Sequence, residues 1–347
     1  MILREMQAEE ARGLQLLALK NFWRSLESPY VTKPKMAMLA EKDGKIIGGF
    51  LYSIENSGKN KLGFVDFFFV DSQHMGQGVG SALCKEGIAR MWAQGCDYLI
   101  TVVRDDNVGS WASFEKMGFV RANLLKFTRA VGFGGLIRAY LSHSYGVSVG
   151  CNLYFAARSE NSEVYAKDFG LGQMFLHLVI NIALALLSFS VIIFESLPQL
   201  ILSLALVFGG VILFAYIGTL FSKRSWRYQF TTGGAVLSLI LPLGGGVFPL
   251  AGGFYPKRYE NTEKFRRDMA ITAILPWVFL MALLLIVQFF DFGFLYSGLI
   301  AGITRALLLF RCIPLLSANF GASRIYKWRQ DLWFMMVVAS VTMVMWF

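Results

Sequence analysis

The hydrophobic rhythm of the chain changes twice. Up to about residue 130, apolar residues come in short runs separated by polar turns. Ile2–Met6, Met36–Ala40, Ile46–Ile54, Leu62–Val70 and Tyr98–Val103 have the length and the aromatic or β-branched content of strands. Lys42-Asp43-Gly44-Lys45 joins the second and third of these and is an Asp-Gly hairpin signal. Two stretches carry helical spacing instead. Ala8–Trp23 has Glu9 and Glu10 in its first turn and Leu14, Leu16, Leu17, Leu19 and Phe22 behind them, and a second amphipathic pattern starts at Val79.

After about residue 170 the apolar runs lengthen. Met174–Phe194, Leu197–Phe221, Met269–Phe290 and Phe292–Phe310 are nearly uncharged and about 19–25 residues long, which suits a helix crossing ~30 Å of hydrocarbon. Leu332–Phe347 is shorter but also uncharged. A buried core helix would account for any one of these, whereas five in succession predict an integral membrane domain over residues 172–347. Phe230–Tyr255 is apolar as well, yet basic residues flank it on both sides and Pro242 with Gly244-Gly245-Gly246 would break a helix near its middle. The expectation there is a re-entrant segment near residues 230–255. Residues 131–171 read as a linker. In it Phe133, Leu136, Ile137, Tyr140 and Leu141 could share one apolar face beside Arg138 and His143, either as an interfacial amphipathic helix or as a plain docking linker. Arg158–Glu163 looks like an exposed loop.

Composition and charge sharpen this division. At 55% hydrophobic residues and a mean hydropathy of +0.51, the chain is too apolar for an ordinary soluble enzyme. Residues 1–130 hold 17 Lys/Arg against 14 Asp/Glu, and residues 131–347 hold 16 against 9, which together give the net charge of +10. Lys223, Arg224 and Arg227 fall in one connector, Lys257, Arg258, Lys264, Arg266 and Arg267 in the next, and Arg311, Arg324, Lys327 and Arg329 in the last. The connectors around Glu195 and Asp291 carry no Lys or Arg, so the positive-inside rule predicts that the basic ones are cytoplasmic. Arg305 is expected to snorkel to that interface. The basic excess then reports topology and contact with an anionic bilayer, not nucleic-acid binding. Four scattered cysteines, Cys84, Cys96, Cys151 and Cys312, agree with a reducing compartment. The first 30 residues are charged and amphipathic, unlike a signal peptide.

The candidate chemistry lies in Val70-Asp71-Ser72-Gln73-His74-Met75-Gly76-Gln77-Gly78-Val79-Gly80-Ser81, where a strand pattern runs through glycines into a helix pattern. Such a turn aims free backbone N–H groups and the positive end of a helix dipole at one point, which suits a diphosphate. About 25 residues downstream a further strand pattern leads into Asn107-Val108-Gly109-Ser110-Trp111-Ala112-Ser113-Phe114-Glu115-Lys116-Met117-Gly118-Phe119. In this order and spacing, roughly residues 1–130 resemble the GNAT family of acyl-CoA-dependent N-acetyltransferases. The resemblance implies an α/β fold, a GNAT-like mixed sheet with helices, placed before the α-helical transmembrane bundle. It also implies acetyl-CoA as cosubstrate and an amine, on a small molecule or a protein, as acceptor, which the charge bias of the connectors would place at the cytoplasmic face. By the same resemblance Gln77, Gly78, Val79, Gly80 and Ser81 would hold the pyrophosphate, Phe69-Val70 the pantetheine and carbonyl, and Asn107 the pantetheine arm. Met75 stands where the family usually has Arg or Gln, a loss that Gln73 or His74 could offset. Phe114 occupies the position of the Tyr that often serves as thiolate acid, so the ring is kept and the proton is lost.

For a general base the sequence offers Asp66. Strand alternation would put it on the face of Phe64, Phe68 and Val70, where partial desolvation would raise its pKa. Pairing with a cross-sheet Lys or Arg is the alternative reading. Glu55 and Asp105-Asp106 are weaker candidates, the latter pair suiting a helix cap. A second resemblance concerns Ala251–Leu275, Phe310–Leu315 and Ser323–Trp328, which look like the core of site-2-protease-like intramembrane metallopeptidases. Those enzymes carry His-Glu-x-x-His and a later Asp. The only histidines here are His74, His143 and His177, and the Asp position falls near Asn319–Gly321, so a degenerate core without a metal or peptidase activity is expected. The reading is therefore a membrane-tethered N-acetyltransferase. The alternative is a weak or inactive acetyl-CoA-binding regulatory module coupled to an inactive peptidase-like or scaffold bundle. No pattern in the chain specifies an oligomer.

Overall fold

The computed structural model describes residues 1–22, 31, 33–104, 107–122, 124–143, 145–158, 170–188, 196–258, 260, 262–290, 292–313 and 321–347. Contacts group the chain into two units. The first comprises Met1–Val103, Ser110–Ser144 and Leu153–Lys167, and the second Arg104–Gly109, Tyr145–Asn152 and Asp168–Phe347.

The first unit is built on a seven-stranded mixed sheet. Strand β1 (Ile2–Glu5) leads through a 3-10 turn, Ala8–Glu10, into helix α1 (Ala11–Phe22). An antiparallel meander follows through β2 (Met36–Lys42), β3 (Lys45–Ser57) and β4 (Asn60–Val70). The β2–β3 link is the predicted hairpin, with Asp43 at φ +53° and Gly44 at φ +73°, the left-handed values that an Asp-Gly turn supplies. Helix α2 (Val79–Ala93) carries the chain over to β5 (Tyr98–Arg104), which lies parallel to β4. After α3 (Val108–Lys116) and β6 (Val120–Arg121), helix α4 (Leu124–Ile137) is kinked where Gly132 takes φ +76°. One wide helical turn, Arg138–Ser142, continues it. β7 (Cys151–Ala157) then slots between β5 and β6, giving the order β1-β2-β3-β4-β5-β7-β6.

That last strand comes from the stretch expected to be a linker. Its residues Leu153 to Ala156 are all buried. Covered on both faces, it lacks the polar alternation that marks a half-exposed strand. Packing on the sheet is close. Leu14 and Ala18 of α1 join Leu39, Leu51 and Phe69 in one buried cluster. On the α2 face a Cβ at Gly87 would stand 2.3 Å from the Phe50 ring, so only glycine fits there.

The second unit is mainly helical. It contains α5 (Gly170–Ser188), α6 (Leu197–Leu220), α7 (Ala235–Leu243) and α8 (Glu263–Phe289), then α9 (Ser297–Cys312), α10 (Ala322–Trp328) and α11 (Gln330–Trp346). Its core is apolar, with Leu204, Trp277, Leu280, Leu284, Ile300 and Leu308 fully buried. Three of the five expected spans, α5, α6 and α8, are long and apolar enough to cross a membrane. α9 has 16 residues, because the chain around Phe292–Tyr296 turns before it begins, and α11 has 17.

The glycine-interrupted segment has a definite form. β8 (Trp226–Phe230) and β9 (Gly252–Pro256) pair antiparallel, with Phe230 opposite Gly252. The chain between them, including α7, therefore returns to the place it left. α7 closes at Leu243 just before the three glycines, and Pro242 falls in its last turn.

Candidate functional site

The site expected from sequence is assembled where β4 ends. The pairing of β4 with β5 described here runs from Leu62–Tyr98 to Val65–Thr101, although β4 continues to Val70 and β5 to Arg104. Just there the register of β3 with β4 shifts: Leu51 faces Phe67 and Tyr52 faces Val65, so Asp66 is the extra residue of a β-bulge. A bulge re-aims the strand beyond it and opens backbone that would otherwise be spent in a ladder.

The glycine turn follows at once. Asp71 accepts from Gln73 N at 3.0 Å and starts a 3-10 turn over Ser72–His74. Gln77 Nε2 donates to Gln73 O at 3.2 Å and braces the loop. Gly76 and Gly78 take φ +78° and +79°, which a side chain would strain, and a Cβ on either would meet nothing within 4 Å. Gly78 caps α2 in a left-handed conformation, while Gln77, Gly78 and Ser81 are exposed. The cradle is thus open in front of a helix start and fits a diphosphate bound mainly by backbone. Gly80 does something else: its Cβ would press to 3.1 Å from Phe68 Cζ, so this glycine lets α2 lie close on β4. Val79 is buried under the helix start, and Met75 is 63% exposed, offering no charge.

Phe69 and Val70 are buried, with 5% and 9% exposure, and pair with Gly49 and Gly48 of β3. Phe114 is 3% exposed and meets Phe119 edge-on at 5.2 Å, as a packing residue would. Asn107 is exposed directly before α3, and its N–H donates to Arg104 O at 3.0 Å. It belongs to the short segment grouped with the second unit. Asp105 and Asp106 lie outside the described residues.

Asp66 departs from expectation. It stands at the bulge and is exposed, although His143 is a neighbour of both Asp66 and Phe64. Ser53 Oγ donates to its Oδ1 at 3.3 Å. His143 Nδ1 stands 3.5 Å from the same oxygen, and His143 Nε2 is 3.6 Å from Glu55 Oε1. Arg138 Nη1 holds Glu55 at 2.7 Å. The His143 ring stacks on Phe64 with 3.6 Å between ring centres. Sequence reasoning named Asp66, Glu55 and His143 separately but not as a group. A bulge between β3 and β4, with a helical turn more than 70 residues further on, leaves no local sign of such an encounter. Cys84 is excluded as a nucleophile, because burial pushes its thiol up to about 12.

Residues 4–119 match the acetyltransferase (GNAT) family model. An N-alpha-acetyltransferase, MAK3, from Arabidopsis thaliana is 26% identical over 92 residues. That match takes in 26% of this chain and 48% of the relative, so the chain spans about half the length of the curated relative it matches. Among solved structures, a chain of the NatC complex bound to Gag peptide and CoA aligns over 46% of this chain and 100% of its own, at 16% identity and a TM-score of 0.31. Tetrahymena GCN5 aligns over 46% and 97%, at 16% identity and a TM-score of 0.34. A GNAT-family acetyltransferase from Streptococcus pneumoniae aligns over 35% and 85%, at 20% identity and a TM-score of 0.31.

The second unit offers no metallopeptidase site among the described residues: no group of three His, Cys, Asp or Glu side chains could hold a metal. His177 and Asn181, at i and i+4 of α5, bond to one another and to Leu250, while the Tyr228 hydroxyl reaches His177 Nδ1 at 2.6 Å. Both imidazole nitrogens are thereby engaged in polar contacts within the protein. Asn319 lies outside the described residues.

Proposed function

We propose that this chain is a membrane-tethered N-acetyltransferase, transferring acetyl from acetyl-CoA to an amine at the cytoplasmic face. The observation that carries the proposal is the exposed glycine turn at the head of α2, set at the end of β4 where β4 and β5 part. It lies inside the segment that matches the acetyltransferase family model. Acetyl-CoA supplies an activated acyl group as a thioester. Gln77, Gly78 and Ser81 present the amides for its diphosphate, with the N-terminus of α2 adding partial positive charge. The end of β4 at Phe69-Val70, beyond the stretch paired with β5, is proposed to position the pantetheine and the thioester carbonyl. Asn107 is proposed to flank the pantetheine.

The acceptor side is acidic. Asp66 suits a protonated amine, and the Asp66–His143 pair is proposed to take its proton, while Glu55 is held by Arg138. Phe114 has no hydroxyl, so the proton for the departing thiolate comes from water or from the acceptor. In the membrane part, α5, α6 and α8 support anchoring in the bilayer, and the basic connectors support a cytoplasmic first unit. β8 and β9 meet at the two ends of α7, which supports a segment that dips in and returns. Phe133, Ile137 and Leu141, exposed by 70%, 41% and 66%, form a stripe suited to lying on the inner leaflet.

The test is CoA thiol release by the full chain in nanodiscs, against a pooled panel of amines and peptides. Acceptor-dependent release is expected, and Gly78→Glu should reduce acetyl-CoA affinity at least tenfold through bulk and charge. Asp66→Asn should slow transfer roughly 10- to 100-fold without weakening acetyl-CoA binding. Unchanged affinity in Gly78→Glu would remove the turn as the binding site, and tight binding without turnover would leave a sensor in place of an enzyme.

A further inference from the structure

Helix α4 and the wide turn after it have two unlike sides. Val131 and Ala139 are buried, and a Cβ at Gly135 would stand 3.3 Å from Leu62 Cδ1, so one side packs on the sheet. The other side carries Phe133, Ile137 and Leu141, four residues apart and all exposed. Large apolar residues at that spacing line one side of a helix as a stripe.

At the end of the stripe, Arg138 and His143 reach a group of carboxylates on the sheet. Arg138 Nη1 bonds Glu55 at 2.7 Å, and His143 lies between Glu55 and Asp66, 3.6 and 3.5 Å from their oxygens. Arg138 follows Ile137 directly and His143 comes two residues after Leu141, so the charged group and the stripe share one short stretch of chain. Side-chain exposures of 25% for Glu55, 32% for Asp66 and 16% for His143 leave the group open to a ligand yet only partly solvated. With His143 neutral, as a base must be, two carboxylates stand against one guanidinium, a net single negative charge that one positive charge balances. A phosphate carried next to the amine would be brought up to both carboxylates and repelled.

We propose, resting on the acetyltransferase reading above, that the acceptor is an amphiphilic monocation: a primary amine on a long apolar chain, with no phosphate beside it. The ammonium sits at Asp66 and the chain lies along Phe133, Ile137 and Leu141. The ammonium gives one proton to His143, and the freed nitrogen lone pair attacks the thioester carbonyl carbon. A C–N bond forms, the C–S bond breaks, and the sulfur leaves with its electron pair. The second proton lost by nitrogen passes through water to the thiolate, giving the amide and CoA, and His143 returns its proton to solvent. The amide is neutral, so the ion pair that held the amine is gone and the product is free to leave.

The test measures CoA thiol release by the full chain in phosphatidylcholine nanodiscs, with butylamine, octylamine and dodecylamine as acceptors. Each buried methylene strengthens binding about fourfold, so kcat/KM should climb by about that factor for every methylene that reaches the stripe, through KM and with kcat nearly constant. Partitioning into the nanodisc also favours long chains, but equally for every variant. The ratio of kcat/KM for dodecylamine to that for butylamine should therefore fall at least tenfold in Leu141→Glu. It should hold in Leu16→Glu, which alters an exposed leucine of α1. Phe133→Ser reads the same stripe if Leu141→Glu does not reconstitute. Replacing part of the phosphatidylcholine by phosphatidylethanolamine should yield no acetylated lipid by mass spectrometry. An unchanged ratio in Leu141→Glu, an equal fall in Leu16→Glu, acetylated phosphatidylethanolamine, or faster transfer to soluble peptides than to dodecylamine overturns the assignment. Failure of the acetyltransferase reading itself looks different: no amine or peptide of any kind then releases CoA, whereas failure of the acceptor class alone leaves short amines or peptides turning over.

Discussion

In the first unit the atoms that would do chemistry are amides of an exposed turn and carboxylates on an open stretch of sheet. In the second, Asp268, His177, Arg311 and Arg324 have no more than 6% of their surface exposed. The two arrangements solve different problems. An exposed turn needs only a rigid scaffold behind it, and the sheet of the first unit supplies that through close contacts such as Gly87 on Phe50. Buried charges must instead be compensated on the spot. Arg224 shows the cost being met: it joins Asp268 at 2.8 Å and Glu260 at 2.8 Å, and it lies 5.0 Å from the Phe265 ring. The comparison teaches where substitutions should act: on stability where polar groups are buried, and on ligand affinity where they are exposed.

The strongest way to break this comparison is Asp268→Ala. Removing a carboxylate that is 1% exposed leaves Arg224 with only the half-exposed Glu260, and such losses cost about 3–5 kcal/mol. Chemical unfolding of the full chain in detergent should show a loss toward the lower end of that range. The double replacement Arg224→Met with Asp268→Leu should recover much of it, because well-packed apolar groups replace a buried pair at little cost. A loss under about 1 kcal/mol for Asp268→Ala would mean that the pair is solvated and that the contrast with the first unit is unreal.

A second substitution sharpens the other half. Gly87→Ala forces a Cβ to within 2.3 Å of the Phe50 ring, an overpacking that costs about 1–3 kcal/mol. It should lower the unfolding transition that acetyl-CoA is proposed to raise, with acetyl-CoA affinity measured below that transition unchanged. If affinity fell in parallel with stability, the scaffold and the turn would not be separable in the way their geometry indicates.

What could be read in the sequence follows the same division. The glycine turn, the strand runs and the Asp-Gly hairpin were legible because each is local: Gly76 and Gly78 take left-handed backbone, and the turn is built from residues adjacent in the chain. Five apolar runs of span length stood out in the sequence, and among the described residues α5, α6 and α8 are helices long and apolar enough to cross a membrane. β7 was not legible, since a strand covered on both faces shows no alternation. The exposure of Asp66 was not legible either, since a one-residue bulge interrupts the ladder at that position. Arg311 and Arg324 were counted as connector charges by the positive-inside rule, and the structure buries both. Charge counting registers that a basic residue follows an apolar run but not which way its side chain turns.

The smallest effect belongs to a surface pair that behaves as exposed charges should. Arg4 reaches Glu10 at 2.7 Å and Glu41 at 2.8 Å, with each side chain a quarter to a third exposed. Hydrogen bonding from Arg4, helped by the Gln7 N–H, holds the Glu10 carboxyl down at about 2. A folded-state pKa below the unfolded value adds stability above the ordinary range near 4.5, and that stability is lost as pH falls from there toward 2. Glu10→Gln should therefore lower the melting temperature of the first unit slightly at pH 7, by the equivalent of under about 1 kcal/mol given the exposure. The difference between the two proteins should shrink steadily below pH 4.5 and vanish near pH 2. A gap that stayed constant over that interval would trace the effect to packing of the Glu10 side chain and not to its charge. A gap as large as that of Asp268→Ala would show that exposure does not separate the two units after all.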